Sequence, residues 1–106
     1  MNWIPIENIG QLDAIMSASF DNPVLIFKHS TRCFISKSAL RMFEMEFNQQ
    51  GEIVPYFLDL LEHRDISNEI ARRFNVAHQS PQVIIIKDGK AVYNASHESI
   101  DAAKLG

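Results

Sequence analysis

The chain has 106 residues, of which 46% are hydrophobic and 22% charged, and its formal net charge is −3. These values are typical of one folded domain, so we expect a single domain over residues 1–106 and exclude a disordered chain. The acidic balance argues against nucleic acid binding. No apolar run is long enough for a membrane span, and no signal-like N-terminus is recognised. Since Cys33 is the only cysteine, no intramolecular disulfide can form and a cytoplasmic location is expected.

Apolar periodicity and turn residues predict alternating strands and helices. The predicted elements are a strand at Trp3–Ile6, a helix at Ile9–Phe20, a strand at Val24–Phe27, a helix at Cys33–Gln49, a strand at Ile53–Leu60, a helix from its N-cap Asp65 to Phe74, strands at Gln82–Lys87 and Lys90–Ala95, and a helix at Ser96–Leu105. Pro55 is expected to confine strand pairing to the second half of its strand. Asp88-Gly89 is expected to form a hairpin turn.

This order, β-α-β-α-β-α-β-β-α, is that of the α/β thioredoxin-like fold. Alternating strands and helices early in the chain imply parallel pairing through right-handed crossovers, and the late hairpin adds an antiparallel strand. We therefore expect a mixed four- or five-stranded sheet with helices on both faces. The fold alone does not assign a chemistry.

Cys33 comes at the predicted start of a helix, directly after a buried strand and a short loop. Unpaired N–H groups and the helix dipole at such a position stabilise a thiolate relative to a thiol. No carboxylate occurs between Asp21 and Glu44. The cations of this stretch are Lys28, Arg32, Lys37 and Arg41, and His29 could add a fifth. We expect electrostatic support of a reactive thiolate from Lys28, His29 and Lys37, although solvated cations on an amphipathic helix would give a similar pattern.

Ser36 follows Cys33 by three residues, in a C-x-x-S pattern. It shares one helical stripe with the apolar residues Leu40, Phe43 and Phe47. Ser36 should therefore face the core, beneath the more exposed thiol of Cys33. A hydroxyl there could donate to the thiolate, or could instead bond back to its own helical turn. Ser80-Pro81 precedes the strongest predicted strand, whose start should lie beside the end of the strand before Cys33. Taken alone, Pro81 is a strand-starting proline.

The segment Lys28–Ser36, K-H-S-T-R-C-F-I-S, together with Ser80-Pro81, resembles the thioredoxin superfamily. More narrowly, it resembles the monothiol bacilliredoxin-like (YtxJ-type) family of the bacterial bacillithiol system, whose segment is K-H-S-T-x-C-P-I-S. The resemblance covers essentially the whole chain and implies that Cys33 is the redox-active thiol. It also implies that Ser36 replaces a resolving cysteine and that Pro81 is a cis-proline, beside which the Ser80 backbone pairs with an extended substrate.

The resemblance implies a monothiol disulfide oxidoreductase that removes or transfers a small thiol on protein cysteines through a Cys33 mixed disulfide. Its co-substrate would be a low-molecular-weight thiol such as bacillithiol, with no bound cofactor or metal. Its partners would be thiolated or disulfide-containing proteins, with no nucleic acid or membrane, and the protein would be a monomer or weak dimer. Substrate contacts are expected from Thr31, Arg32, Phe34, Ser80 and Pro81. Phe34 departs from the family proline, which should change access to the sulfur.

Other interpretations remain open beside this one. A non-catalytic thioredoxin-like binding module could use the groove beside Cys33 and Pro81 only to hold a partner. An iron–sulfur carrier is disfavoured because monothiol glutaredoxins have C-G-F-S, whereas Phe34 is bulky. The four histidines lack the spacing of zinc ligands. A papain-like hydrolase would need a larger scaffold, and Asp59 and Glu62 are expected in helix-start or surface roles rather than as a catalytic carboxylate pair.

Overall fold

A computed structural model describes residues 2–47 and 53–102. The elements are, in chain order, β1 (Ile4–Pro5), α1 (Gly10–Ala18), β2 (Val24–His29), α2 (Phe34–Glu46), β3 (Val54–Asp59), α3 (Arg64–Phe74), β4 (Gln82–Lys87), β5 (Lys90–Ser96) and a 3-10 turn at His97–Ser99. The predicted order is confirmed up to β5. The expected terminal helix is wrong at Ser96, which is the last residue of β5, and over residues 100–101, which follow the short 3-10 turn without a helical conformation. Its last residues, 103–105, and the predicted end of α2 at 48–49 lie outside the described residues.

The five strands form one mixed sheet in the order β1-β3-β2-β4-β5. β1, β3 and β2 are parallel, whereas β4 is antiparallel to both β2 and β5. This is the α/β thioredoxin-like fold that the element order predicts. β2 and β4 are central neighbours, and Lys28 of β2 pairs with Gln82 at the start of β4. The residues just before β4 therefore lie beside the carboxyl end of β2, where the loop to Cys33 begins.

Helices cover both faces of this sheet. On one face, α1 and α3 bury an apolar cluster against alternate strand residues, including Leu12, Ile15, Ile26, Ile66, Ile70 and Ile84. On the other face, α2 packs against Leu25, Phe27, Val83 and Ile85 through Phe43. All six residues of β2 are buried, as expected for a central strand covered on both faces. No helix in the described ranges is long and apolar enough to cross a bilayer.

Two local predictions are corrected by the structure. Pro55 does not restrict pairing, since β3 is paired with β2 along its whole length, from Val54 to Asp59. Val54 N–H donates towards β2, to Pro23 O at 3.0 Å. Because N–H groups alternate in direction along a strand, Pro55 lacks only a donor on the β1 side, where β1 has not yet begun. The N-cap of α3 is His63 rather than Asp65, which lies in the first turn.

The predicted hairpin turn between β4 and β5 is confirmed. Asp88 and Gly89 have φ values of 53° and 76°, the left-handed pair that a two-residue turn of this kind requires. The backbone N–H of Gly89 donates to Ser19 Oγ at 2.8 Å. This contact anchors the hairpin to the end of α1, at the opposite end of β4 from Pro81.

Candidate functional site

Cys33 is half-buried and is the N-cap residue of α2. Its backbone is extended (φ −95°, ψ 123°), its N–H donates to Ser30 O at 3.1 Å, and its carbonyl accepts the N–H of Lys37 at 3.0 Å. No acidic residue lies in the first turn of α2, and no side chain caps that turn. The sulfur therefore belongs to the residue that opens the helix, near unpaired N–H groups that favour a negative charge.

Ser36 is fully buried in the first turn of α2 and connects this helix to the end of β2. Its Oγ atom accepts the backbone N–H of Ser30 at 3.0 Å and lies 2.7 Å from Nδ1 of His29. In the described part of the chain these are the two hydrogen bonds of this hydroxyl, and neither involves the Cys33 sulfur. The prediction that Ser36 faces inward is confirmed. The structure also identifies His29, rather than the helical turn, as its side-chain partner.

His29 is buried between aromatic rings, with its ring centre 5.4 Å from that of Phe57 and 6.4 Å from that of Phe27. This burial lowers the pKa of His29 below its ordinary value, and the positive charge of Lys37 acts in the same direction. The negative charge of Asp59, its neighbour in the β2–β3 register, partly opposes them. His29 is therefore a neutral imidazole at pH 7.

Asp59 is a site residue whose role the sequence did not indicate. Its Oδ2 atom accepts the hydroxyl of Thr31 at 3.3 Å, and its Oδ1 atom accepts the N–H of Leu61 at 3.1 Å. The first contact holds the loop before Cys33 against the end of β3. Sequence reasoning places Asp59 near a strand end, but only the parallel pairing of β2 and β3 brings it to this loop.

The Ser80–Pro81 peptide bond is cis, and Pro81 is buried at the start of β4. Pro81 and Ile35 line a groove of about 510 Å³ on the α2 side of the sheet. Its other lining residues are Ser38, Ala39, Met42, Phe43, Glu46, His97, Ile100 and Ala102. Next to Cys33, Phe34 is 81% and Ile35 66% exposed, so an apolar surface extends from the thiol towards the groove.

The remaining predicted site residues are distributed around this centre. Arg32 and Lys37 are exposed on either side of Cys33. The hydroxyl of Ser80 is buried and has no hydrogen-bond partner among the described residues. Lys28 is placed elsewhere: its ammonium contacts α3 and His78, on the face of the sheet away from α2. The structure thus brings together Cys33, Ser36 and His29, whereas the Lys28 side chain points to the other face.

Comparisons with known proteins agree with this geometry. Residues 4–105 match the family model described as monothiol bacilliredoxin BrxC. A solved structure described as having a thioredoxin fold and a suggested oxidoreductase activity is 30% identical, with a TM-score of 0.82 over 96% of this chain and 88% of that one. The thioredoxin of Malassezia sympodialis is 20% identical, with a TM-score of 0.74 over 98% and 84% of the two chains. Spinach chloroplast thioredoxin f is 18% identical, with a TM-score of 0.70 over 91% and 75%. The last two likenesses support the fold.

Proposed function

Because this chain belongs to the monothiol bacilliredoxin family, we propose that it removes or transfers a low-molecular-weight thiol on protein cysteines through a Cys33 mixed disulfide. Family and fold support a thiol-redox role. The observation that carries the proposal is the position of Cys33, half-buried at the N-cap of α2, whose first turn holds no carboxylate. A thiolate is the reactive form in exchange, and this position favours it. We take bacillithiol as the small thiol.

The exchange step is balanced without an external oxidant. The Cys33 thiolate attacks the small-thiol sulfur of a thiolated protein cysteine, and a new disulfide forms between Cys33 and the small thiol. The original disulfide breaks, and the target cysteine leaves as a thiolate that takes a proton from water. Cys33 is oxidised from a thiolate to a disulfide, the target cysteine is reduced from a disulfide to a thiol, and the small thiol stays in a disulfide throughout.

Completion of the cycle needs a second thiol from outside the chain. Cys33 is the only cysteine of the sequence, so no intramolecular attack can release the bound small thiol. A free small thiolate attacks the small-thiol sulfur of the mixed disulfide on Cys33. This attack releases a symmetric small disulfide and restores the Cys33 thiolate. We place this reaction in the cytoplasm, where small thiols are kept reduced.

Ser36 supports the thiolate in this mechanism through its link to His29. The Ser36 oxygen already accepts the Ser30 N–H, and a hydroxyl has one hydrogen to donate. If neutral His29 carries its proton on Nδ1, that proton is donated to Ser36 and the Ser36 hydrogen is free to turn towards the sulfur. If the proton is on Nε2, the Ser36 hydrogen is donated to Nδ1 instead. The proposal therefore requires the Nδ1–H tautomer.

The target polypeptide would approach over the apolar surface beside the thiol. Phe34 and Ile35 are exposed there, and Pro81 lines the groove that Ile35 borders. We assign the Ser80 backbone to pairing with the extended target, and Arg32 and Thr31 to contacts around the sulfur that is attacked. An apolar target segment next to the modified cysteine fits this surface best.

The test is a transfer assay with a single-cysteine protein carrying bacillithiol in a mixed disulfide. We expect release of the target thiol, together with the mass of one small thiol on Cys33 in the intact protein. Cys33→Ser is the matched control and should release none. Free bacillithiol should then restore the original mass. Wild-type protein that binds the target without releasing its thiol would overturn the proposal and favour the non-catalytic binding module.

A further inference from the structure

Lys28 is a fully buried lysine in the middle of the sheet. Its ammonium donates to the carbonyl of Ser67 in α3 at 3.1 Å and lies 3.4 Å from Nδ1 of His78. No carboxylate of the described residues lies within ion-pair distance of this ammonium. A buried charge without a counter-charge is costly, and burial lowers the pKa of Lys28 to about 8. An apolar side chain of similar length would fill the space without that cost, so the ammonium itself requires an explanation.

Beside the Ser67 carbonyl, the second partner of this ammonium is His78, a residue of the loop that precedes Pro81. An ammonium can only donate hydrogen bonds. In its contact with Lys28, Nδ1 of His78 is therefore the acceptor and carries no proton. The same Nδ1 atom lies 3.1 Å from the hydroxyl of Ser67. His78 is thereby tied to both β2 and α3, from the face of the sheet that lies opposite α2.

The side chain of Gln82 makes two further hydrogen bonds to the same loop. Gln82 pairs with Lys28 across β2 and β4, so both side chains lie on one face of the sheet. Its amide nitrogen donates to Ala77 O at 3.0 Å, and its amide oxygen accepts the N–H of Gln79 at 3.4 Å. Residues 77–79 are thus held in place by the neighbouring buried side chains of Lys28 and Gln82.

The other end of this loop borders the groove beside α2. The side chain of Ser80 contributes no anchor, because its hydroxyl has no hydrogen-bond partner in the described part of the chain. Pro81 lines the groove, and its carbonyl accepts the N–H of His97 at 3.1 Å. His97 Nε2 also lies 3.1 Å from the side-chain oxygen of Gln79. The loop therefore connects the buried Lys28 ammonium, on one face of the sheet, with the groove on the other face, where the target polypeptide would bind.

We infer that Lys28 is a positioning residue for the exchange reaction, acting through His78 to hold residues 77–80 so that Ser80 and Pro81 meet an extended target polypeptide. This inference rests on the proposed function. It assigns to the buried ammonium a role in target binding rather than in activation of the thiol. Loss of the anchor should weaken reaction with a protein disulfide but spare reaction with a small reagent that needs no contact with the loop.

The first test compares Lys28→Met with wild-type protein. We expect kcat/KM for a thiolated protein substrate to fall about tenfold, through KM, because the target-binding loop is less well placed. Alkylation of Cys33 by iodoacetamide should stay within about twofold, and the urea midpoint at pH 7 should be unchanged or higher, because a buried charge is replaced by an apolar group. If Lys28 only stabilised the fold, the urea midpoint of Lys28→Met would be lower than that of wild type.

Two variants of His78 keep the test decisive if Lys28→Met folds poorly. His78→Leu removes the acceptor and should reproduce the loss of protein-substrate kcat/KM, whereas His78→Asn places an oxygen near the former Nδ1 and should restore at least half of the wild-type value. Unchanged protein-substrate kinetics in His78→Leu, or equal losses in the Leu and Asn variants, would overturn the inference. Failure of the proposed function itself is distinguishable, since wild-type protein would then show no exchange at all.

Discussion

Nδ1 of His29 lies 2.7 Å from Oγ of Ser36, and this short contact joins the last residue of β2 to the first turns of α2. The same oxygen accepts the N–H of Ser30 at 3.0 Å. One buried hydroxyl thus fixes both ends of the loop that carries Cys33. A serine at this position consequently has a structural task that a thiol, a weak hydrogen-bonding group, would perform less well.

Replacement of Ser36 by alanine should destabilise the protein. Two buried or half-buried groups, the N–H of Ser30 and the imidazole of His29, would lose their partner, at a cost of about 1–3 kcal/mol in the free energy of unfolding. Urea unfolding at pH 7 measures this change. Ser38→Ala is the matched control, because Ser38 lies two residues further along α2 and makes no side-chain hydrogen bond in the described structure. Equal urea midpoints for the two variants would contradict the prediction.

The sequence-based interpretation predicts most of the fold and part of the site. Strands of continuous apolar residues, the Asp88-Gly89 turn and the position of Cys33 at the start of a helix are local signals, and each is confirmed. One error is local as well: the apolar run predicts a strand that ends at Phe27, whereas β2 continues to His29. A strand that continues through Lys28 buries it, so its charge could not serve as an exposed cation.

The contacts that the sequence could not supply are those between distant segments. Lys28 and His78 are fifty positions apart, and Thr31 and Asp59 are twenty-eight apart. They meet only because of the β3-β2-β4 order and the exact strand registers. His29 and Ser36, seven positions apart, could have been paired from the strand and helix faces alone, had β2 been extended by two residues.

The stability of the protein should rise with pH between pH 8 and pH 10. The pKa of Lys28 is lowered from 10.5 to about 8 by burial, so the unfolded chain binds a proton in this range that the folded protein has released. The free energy of unfolding then increases with pH by roughly 3 kcal/mol in total, and the destabilisation from the buried charge is fully present below pH 8. Chemical unfolding at several pH values measures this increase.

Lys28→Met is the control for this pH dependence, since other lysines and tyrosines also titrate near pH 10. The difference in unfolding free energy between wild type and Lys28→Met isolates the contribution of the buried amine. We expect that difference to shift in favour of wild type as pH rises from 7 to 10. Parallel curves for the two proteins would show that the Lys28 ammonium is not destabilised by its surroundings.

Phe34 should contribute to recognition of the protein target rather than to the reactivity of the thiol. Its side chain is 81% exposed directly beside Cys33, so it is available to pack against a target segment. Phe34→Ala should raise KM for a thiolated protein by about three- to tenfold with little change in kcat, because part of an apolar contact area is lost. Alkylation of Cys33 by iodoacetamide should not slow.

Phe34→Pro distinguishes the contribution of the Phe34 side chain to target binding from its effect on the conformation of the first turn of α2. Proline is favoured at the first helical position, and Cys33 already has the extended backbone (φ −95°, ψ 123°) that a residue before proline prefers. The proline variant should therefore be as stable as wild type or more stable by about 0.4–1 kcal/mol, while showing the same rise in KM as Phe34→Ala. If KM rose in Phe34→Ala but not in Phe34→Pro, the loss would arise from a loosened first turn of α2 rather than from a missing contact with the target.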